Sequence, residues 1–362
     1  MTIRIAAYTV ALNEEKHVAQ WVEQTKGADF RLVCDTGSTD NTVQLLKDLG
    51  VPVYEIRVKP WRFDVARNTA QALIPDDITV CHVIDMDETV DPDFYDKVRE
   101  HWVEGANKGW HDFDTGHTWL GSRLHARHGI YWRWPIHEAF VPSLNSPLKS
   151  VTIPSKMYHR PDSTKSRSFY LSMLINASKE FPKDHRIWTY LCREYTYNRM
   201  WDLVIQAAEN ITSFSEDWHV ERAAVCRWAS EAYRNLANFE KAHEWADKAI
   251  SIDPCGENYF EKVRCYYAQS DWSGMWETCK KVAECSPTKH YLSSEALWNW
   301  QLDDMRALAA HYLGDKRRAI KYGRMAHENN PMDTRLKNNL DWYEKGIEEQ
   351  NKVNEELKKQ KE

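Results

Sequence analysis

Long apolar runs are missing from this sequence of 362 residues. No stretch approaches the ~18 consecutive apolar residues of a membrane-spanning helix, and the early apolar segment 3–12 carries Arg4 and lacks the cleavage pattern of a signal peptide. Cysteine pairs with C-x-x-C spacing are also absent. The eight cysteines are scattered, mostly on predicted strands or helices, and we expect them to be reduced core residues. Together these absences predict a soluble cytoplasmic protein.

The first part of the chain alternates between predicted strands and helices. Apolar strands are predicted at residues 3–12, 31–34, 51–58 and 79–84, and helical patterns follow the first three. Such repetition predicts a mostly parallel, Rossmann-like sheet with polar loops at one edge. Since domains usually hold ~100 to 200 residues, we expect two of them. The α/β domain is predicted to cover residues 1–165.

Two carboxylates, Asp85 and Asp87, directly follow the fourth predicted strand. Alternate residues of an extended chain point the same way, and ligands bind beyond the carboxyl ends of parallel strands. Both carboxylates can then reach one divalent cation, and oxygen ligands suit Mg²⁺ or Mn²⁺ carrying substrate phosphates. An ordinary solvated loop has the same composition, so the meaning of the pair depends on the segments upstream.

Four segments occur in order within the first quarter of the chain: ALNEE, DTGSTDNT, FDVARN and IDMDE. Together they resemble the family 2 glycosyltransferases of GT-A fold. The resemblance implies a nucleotide diphosphate sugar as donor, with a UDP-sugar expected. It also implies Mn²⁺ or Mg²⁺ bridging the phosphates, and inversion at the anomeric carbon.

The resemblance also gives roles to individual residues. It assigns Asn13 and Glu14 to the nucleotide pocket, Asp35 to the base edge, Arg67 to the base or diphosphate, Asp85 to the ribose and metal, and Asp87 to the metal. The leaving diphosphate carries charge, which a metal ion and an arginine can neutralise. Asp35 could instead cap the following helix, and Arg67 could be a surface charge.

Residues 121–167 are basic within a chain of net charge −6, with eight Lys or Arg against two acids. This balance suggests an anionic ligand. The segment WPIHE at 134–138 resembles an acceptor-region element of some family 2 enzymes, and Glu138 is our candidate for the base that takes the acceptor proton. An ion pair of Glu138 with Arg133 or His137 is the alternative. The candidate acceptor-binding residues are Trp132, Arg133, Trp134 and His137, although both tryptophans could be core aromatics.

A histidine is the expected third metal ligand. GT-A enzymes commonly complete the metal site with a histidine distant from the Asp-x-Asp. The pattern Tyr-His-x-x-Asp at 158–162 resembles that position in relatives with helical repeats, and it selects His159 among 15 histidines. A structural role is the alternative for a lone histidine.

From about residue 166 the strand signals vanish and amphipathic helical patterns take over. Alanines and prolines recur at the spacing of tetratricopeptide-like helix hairpins, predicted near 184–214, 218–252, 256–286 and 294–330. We therefore expect an all-α repeat domain over residues 166–343 and a charged helix or tail over 344–362. Such repeats offer a surface for a partner, either an acceptor polymer or a second copy of the chain in a homodimer.

The acceptor stays open at this point. The three alternatives are a saccharide, a peptide Ser, Thr or Cys, and a hydroxymethylated base of bacteriophage DNA. We expect the protein to be bacterial or encoded by a bacteriophage. The basic, Trp-rich stretch suits DNA, whereas the overall acidity does not. A catalytically inactive repeat-type adaptor is the alternative from another class, and intact Asn13, Asp35, Asp85 and Asp87 argue against it.

Overall fold

The structure is a computed structural model, which describes residues 2–116, 118–143, 147–160, 169–211 and 218–359, with side chains as far as 346. The predicted boundary at 165/166 and residues Asp162, Lys165 and Arg167 of the basic stretch lie outside the described residues. The chain divides into two compact units. The first comprises Met1–Pro182 with Lys289–Tyr291, and the second comprises Lys183–Thr288 with Leu292–Glu362.

The first unit is built on an eight-stranded sheet with the order β3-β2-β1-β4-β7-β6-β10-β5 among the described residues. A separate hairpin joins β8 to β9. The strands are β1 (Ile5–Ala11), β2 (Phe30–Asp35), β3 (Val53–Glu55), β4 (Val80–Val83), β5 (Glu88–Val90), β6 (Lys108–Asp114), β7 (Thr118–Ala126), β8 (Ile130–Arg133), β9 (Ala139–Pro142) and β10 (Ser150–His159). The helices are α1 (Val18–Gln24), α2 (Thr42–Asp48), α3 (Phe63–Ala72), α4 (Phe94–His101) and α5 (Tyr170–Glu180), and a short 3₁₀ helix covers Glu15–His17.

The mostly parallel sheet predicted from the sequence is confirmed for β1 to β4, which pair in parallel. The third strand is shorter than the predicted 51–58. The other half of the sheet is mixed, because β7 runs antiparallel to both its neighbours and β5 runs antiparallel to β10. Apolar side chains of β1, β2 and β4 are buried on both faces of the sheet, as expected for strands covered by helices.

Helix α5 belongs to the first unit, so the unit extends beyond the predicted domain end at 165. Arg62, at the start of α3, forms an ion pair with Glu180 in which Nη1 lies 3.0 and 2.7 Å from the two carboxylate oxygens. The ring of Phe63 also packs edge-on against Tyr170, with the centroids 6.4 Å apart. These contacts join residues more than 100 positions apart in the chain, which sequence periodicity does not reveal.

The second unit consists of helices, as the sequence predicts. They are α6 (His185–Tyr197), α7 (Trp201–Ile211), α8 (His219–Asn235), α9 (Phe239–Ile252), α10 (Gly256–Ala268), α11 (Trp272–Glu284), α12 (Leu302–Tyr312), α13 (Lys316–Asn329) and α14 (Thr334–Lys359), with a π-helical turn at Leu297–Gln301. Successive pairs from α6/α7 to α12/α13 coincide with the four predicted tetratricopeptide-like hairpins. Residues 344–359 continue α14 rather than forming a separate segment.

The recurring alanines lie where helices approach closely. Ala242, Ala249, Ala319 and Ala326 all have no exposed surface. All eight cysteines are free thiols, and seven of them are buried, as expected for core residues. Among the described residues, we find no helix whose length and apolarity would suffice to cross a membrane.

Overpacking one of these alanines tests the close approach of the helices. We expect Ala249→Leu to lower the free energy of unfolding by about 1–3 kcal/mol, because the added carbons have no space at a fully buried position. Ala268→Leu is the matched control, since Ala268 is exposed at the end of α10 and should change stability by less than about 0.5 kcal/mol. Urea unfolding measures both variants, and equal effects would contradict the packing described here.

Candidate active site

Parallel strands bring the predicted site residues to one edge of the sheet. The register pairs Ala11 with Asp35 across β1 and β2, and Tyr8 with Val83 across β1 and β4. The loops after these three strands therefore start side by side. They carry Asn13 and Glu14, the turn after Asp35, and Asp85.

Arg67 on α3 connects two of the predicted residues. Its Nη2 lies 2.6 Å from Asp85 Oδ1, and its Nε lies 3.3 Å from Glu138 Oε1. The residue is buried, with 6% of its surface exposed, so the alternative of a surface charge is wrong. Burial by itself would lower the pKa of Arg67, but the carboxylates of Asp85 and Glu138 raise it by more. The pKa therefore lies above its ordinary value, and the guanidinium stays charged. Its Nη1 atom is buried without a hydrogen-bond partner among the described residues.

Glu138 lies in the loop of the β8–β9 hairpin. Asn68 attaches this hairpin to α3, because its side-chain amide donates to the carbonyl of Trp132 and accepts from the Trp132 N–H, both at 2.8 Å. The same helix thus carries Arg67 and holds the hairpin of Glu138. Burial raises the pKa of Glu138 above its ordinary value, although Arg67 acts in the opposite direction. A carboxylate with a raised pKa is better suited to accept a proton.

A second arginine, Arg123 on β7, lies beside Asp85. Its Nη2 is 2.5 Å from Glu88 Oε1 and 3.5 Å from Asp85 Oδ2. Burial raises the pKa of Asp85, but Arg67 and Arg123 together hold it well below the ordinary value. Burial raises the pKa of Glu88, which has no exposed surface. Glu138, Arg67, Asp85, Arg123 and Glu88 thus form a row of alternating charges, called the charged cluster below.

From the sequence, no role was assigned to Glu88, and Arg123 was only one of the eight basic residues of 121–167. The position of Arg123 follows from strand pairing, since β7 runs antiparallel to β4 and Leu124 pairs with His82 near the end of β4. No local motif marks that pairing. The acidic run Asp-Met-Asp-Glu at 85–88 was the available signal for Glu88.

Asp87 and His159 lie next to each other, as the metal-site prediction requires. Strand β5 pairs with β10 so that Glu88 is opposite His159, and His159 Nε2 is 3.4 Å from Asp87 Oδ2. Burial lowers the pKa of His159, but the hydrogen bond to Asp87 and the nearby Glu88 and Asp85 raise it above the ordinary value.

Among the described residues, no group of three His, Cys, Asp or Glu side chains is arranged to hold a metal ion. Asp85 instead forms ion pairs with the two arginines. Asp87 and His159 nevertheless offer one oxygen and one nitrogen ligand within reach of each other, and the substrate phosphates could complete the coordination of Mn²⁺ or Mg²⁺. This donor set fits a metal carried together with a phosphorylated ligand.

The loops after β1 and β2 hold each other in place. Asp35 Oδ2 accepts from the N–H groups of Gly37 and Ser38 at 2.9 and 3.0 Å, so Asp35 shapes its own loop. A different carboxylate bonds to the start of helix α2, since Asp40 Oδ1 accepts from the N–H of Thr42 at 3.0 Å. The alternative in which Asp35 caps this helix is therefore wrong.

Asn13 connects the first loop to the second. It adopts a left-handed backbone conformation with φ of 55°, and its Oδ1 accepts from Thr39 N–H at 2.7 Å. The N–H of Glu14 donates to Thr42 Oγ1 at 2.7 Å. Asn13 and Glu14 are thus held at the predicted nucleotide edge.

The predicted acceptor residues differ in exposure. Trp132 is 4% exposed, and its Nε1 donates to the hydroxyl of Tyr8 at 2.8 Å. It is a core aromatic without a free face, so its predicted role in acceptor stacking is corrected. Arg133 is exposed, and its guanidinium lies 5.0 Å from the ring centroid of Trp134. His137 packs edge-on against Tyr170 at 5.7 Å.

Within the described part of residues 121–167, the basic side chains do not form one cationic surface. Arg123 pairs with the charged cluster, and Arg127 donates to the carbonyl of Ile74 through Nε at 3.0 Å and Nη2 at 2.7 Å. Lys149 donates to the carbonyl of Glu104 at 2.7 Å. These residues stabilise the first unit itself, which removes part of the argument for an anionic ligand.

Solved structures that resemble the chain share low sequence identity with it. The APC/C hetero-tetramer Cut9–Hcn1 is 13% identical with a TM-score of 0.43, over 50% of this chain and 33% of that chain. A thermophilic TPR protein of Thermus thermophilus is 15% identical with a TM-score of 0.37, over 48% of this chain and 88% of that one. A tetratricopeptide repeat protein of Parabacteroides merdae is 16% identical with a TM-score of 0.36, over 48% and 62%. This chain therefore spans about a third of the first of these.

A search of curated proteins finds no match to the chain. Residues 7–166, however, match the family described as Glycosyl transferase family 2. The matched segment contains the whole charged cluster together with Asp87 and His159. The N-terminal part of this chain is a glycosyl transferase family 2 domain.

Proposed function

We propose that this protein is a metal-dependent, inverting glycosyltransferase that moves a sugar from a nucleotide diphosphate sugar, expected to be a UDP-sugar, to an acceptor hydroxyl or thiol. The observation that carries the proposal is the double ion pair of Arg67, which joins Asp85 on the donor side to Glu138 on the acceptor side. It lies within the family 2 domain.

Donor binding is proposed for Asn13, Glu14, Asp35, Arg67 and Asp85. Asp87 and His159 would hold Mn²⁺ or Mg²⁺, which supplies positive charge for the diphosphate as it leaves. Both arginines of the charged cluster already pair with carboxylates, so they leave much of the charge of a diphosphate uncompensated. This supports the need for a divalent cation.

Glu138 is the proposed base. In direct displacement, the acceptor oxygen or sulfur attacks the anomeric carbon, its proton passes to a carboxylate, and the bond to the diphosphate oxygen breaks. The raised pKa of Glu138, caused by burial, favours accepting that proton. Arg67 acts against the effect of burial by favouring the ionised form of this carboxylate, and it orients the carboxylate through Nε.

The acceptor is proposed to be a saccharide or a peptide side chain, with Arg133, Trp134 and His137 near it. The DNA alternative loses support, because Arg123, Arg127 and Lys149 already bond to a carboxylate or to backbone carbonyls of the first unit. The helical unit is proposed to bind the rest of a polymeric acceptor.

Removal of Asp87 tests the metal assignment. We expect Asp87→Ala to reduce transfer by at least ~10²-fold, because the diphosphate charge loses its compensation, and chelation of the wild-type protein should have the same effect. Asp96→Ala is the matched control, since Asp96 is exposed on α4. Metal-dependent hydrolysis of nucleotide sugars measures the effect. Most activity retained in Asp87→Ala would refute the assignment, and no turnover of any nucleotide sugar by wild type would favour the inactive adaptor.

Replacement of Glu138 separates a base from a binding residue. Glu138→Gln should lower kcat by ~10²-fold or more with little change in donor affinity, because glutamine can still accept from Arg67 but cannot take a proton. In wild type, activity requires the ionised carboxylate. When the pH is lowered, Glu138 takes up a proton and kcat should fall. Because the pKa of Glu138 is raised, this fall should begin at a higher pH than it would for an ordinary glutamate. Glu104→Gln, at an exposed position, is the control. Equal loss of nucleotide-sugar binding would instead indicate a donor-binding role.

The salt dependence of acceptor binding distinguishes the acceptor classes. For a neutral glycan or peptide, we expect KM for the acceptor to change little between low and moderate salt, and Trp134→Ala to raise it more than Arg133→Ala does, through lost stacking. For a nucleic acid, the logarithm of the acceptor-binding constant would fall with the logarithm of the salt concentration, with a slope of about one unit for each phosphate contact. A steep slope that becomes shallower in Arg133→Ala would contradict the glycan or peptide proposal.

A further inference from the structure

Strands β6 and β7 pair with one irregularity near the charged cluster. The register runs from Gly109 opposite Leu124 to His111 opposite Gly121. Between these pairs β6 has one residue, whereas β7 has two, Ser122 and Arg123. This is a β-bulge, a feature that changes the direction of side chains and is common beside active sites.

Side chains close the bulge in place of backbone partners. Ser122 Oγ donates to the carbonyl of Gly109 at 2.6 Å, and the backbone N–H of Arg123 donates to His111 Nε2 at 3.1 Å. His111 Nδ1 in turn donates to the carbonyl of Asp112 at 3.0 Å, which fixes the tautomer. Burial lowers the pKa of His111 to about 4, so near neutral pH its Nε2 is unprotonated and can accept.

The side chain of Arg123 extends from the bulge toward Glu88. Besides its ion pair with Arg123, Glu88 is bonded twice to the backbone of Asp85. Its Oε2 accepts from Asp85 N–H at 2.8 Å, and its own N–H donates to the carbonyl of Asp85 at 3.0 Å. These two bonds close the turn that carries Asp85 and Asp87. A continuous row of contacts therefore leads from His111 through Arg123 and Glu88 to that turn.

We propose that His111 is a positioning residue for the donor site, which closes the bulge that directs Arg123 at Glu88 and thereby holds the turn of Asp85 and Asp87. The assignment of a nucleotide-sugar donor to this turn rests on the proposed function. The row of contacts from His111 to the turn does not depend on it. His111 itself touches neither donor nor metal in this account.

Two replacements of His111 separate positioning from packing. Gln can present an acceptor oxygen near the place of Nε2, whereas Met fills similar volume without a comparable acceptor. With UDP and Mn²⁺ as the probe, we expect His111→Met to weaken binding at least tenfold and His111→Gln to stay within about twofold of wild type.

A matched control shows whether loss of any buried histidine has this effect. His82 is equally buried in the sheet and contacts Tyr95 Oη and Met157 Sδ, at 3.0 and 3.4 Å. His82→Met should destabilise the protein without a comparable loss of UDP affinity. Equal losses of affinity in His82→Met and His111→Met, or in both His111 variants, would overturn the proposal.

A double-mutant cycle tests the row of contacts without any ligand. If His111 acts through Arg123 on Glu88, the effects of His111→Met and Glu88→Gln on the unfolding equilibrium constant should not multiply, and should differ from independence by about fivefold or more. Independent effects would overturn the positioning role. If wild type fails to bind UDP with Mn²⁺, the proposed donor is wrong, and the cycle alone then decides the role of His111.

Discussion

The double ion pair of Arg67 is the interaction on which the rest of the site depends. Burying a charge is costly unless it is paired, and removal of one partner leaves the other charge uncompensated. In the charged cluster each arginine lies between two carboxylates, so every member has an opposite charge beside it. The positions of helix α3, the turn after β4, strand β7 and the β8–β9 hairpin are thereby coupled through side chains that cannot move independently.

The balance of charge in this cluster bears on the chemistry. Glu138, Asp85 and Glu88 outnumber Arg67 and Arg123, and Asp87 lies beside His159. A diphosphate brought to this edge would meet no surplus of positive charge from these side chains. This balance of charge supports the proposal that the donor arrives with a divalent cation, since both arginines already pair with carboxylates.

The sequence predicts those parts of the molecule that depend on local pattern. Strand–loop–helix alternation predicted the parallel half of the sheet, and small residues at helical spacing predicted the helix pairs. The family resemblance singled out the distant His159 as a metal ligand, and the structure places its ring beside Asp87, while its role as a ligand stays a prediction. Features that depend on long-range pairing were missed. The bulge that directs Arg123 requires the register of β6 and β7, and α5 joins the first unit through the contact of Arg62 with Glu180. Trp132 looked available for stacking because nothing local shows its bond to Tyr8.

Arg67→Lys is the decisive variant for the role of Arg67, with donor affinity and kcat measured on the same preparation. A lysine ammonium is a compact charge and lacks the planar fork with which arginine reaches two carboxylates at once. If one guanidinium joins Asp85 to Glu138, both donor affinity and kcat should fall in this variant while the fold persists. Unchanged kinetics, or a loss confined to one of the two quantities, would contradict the central role of Arg67.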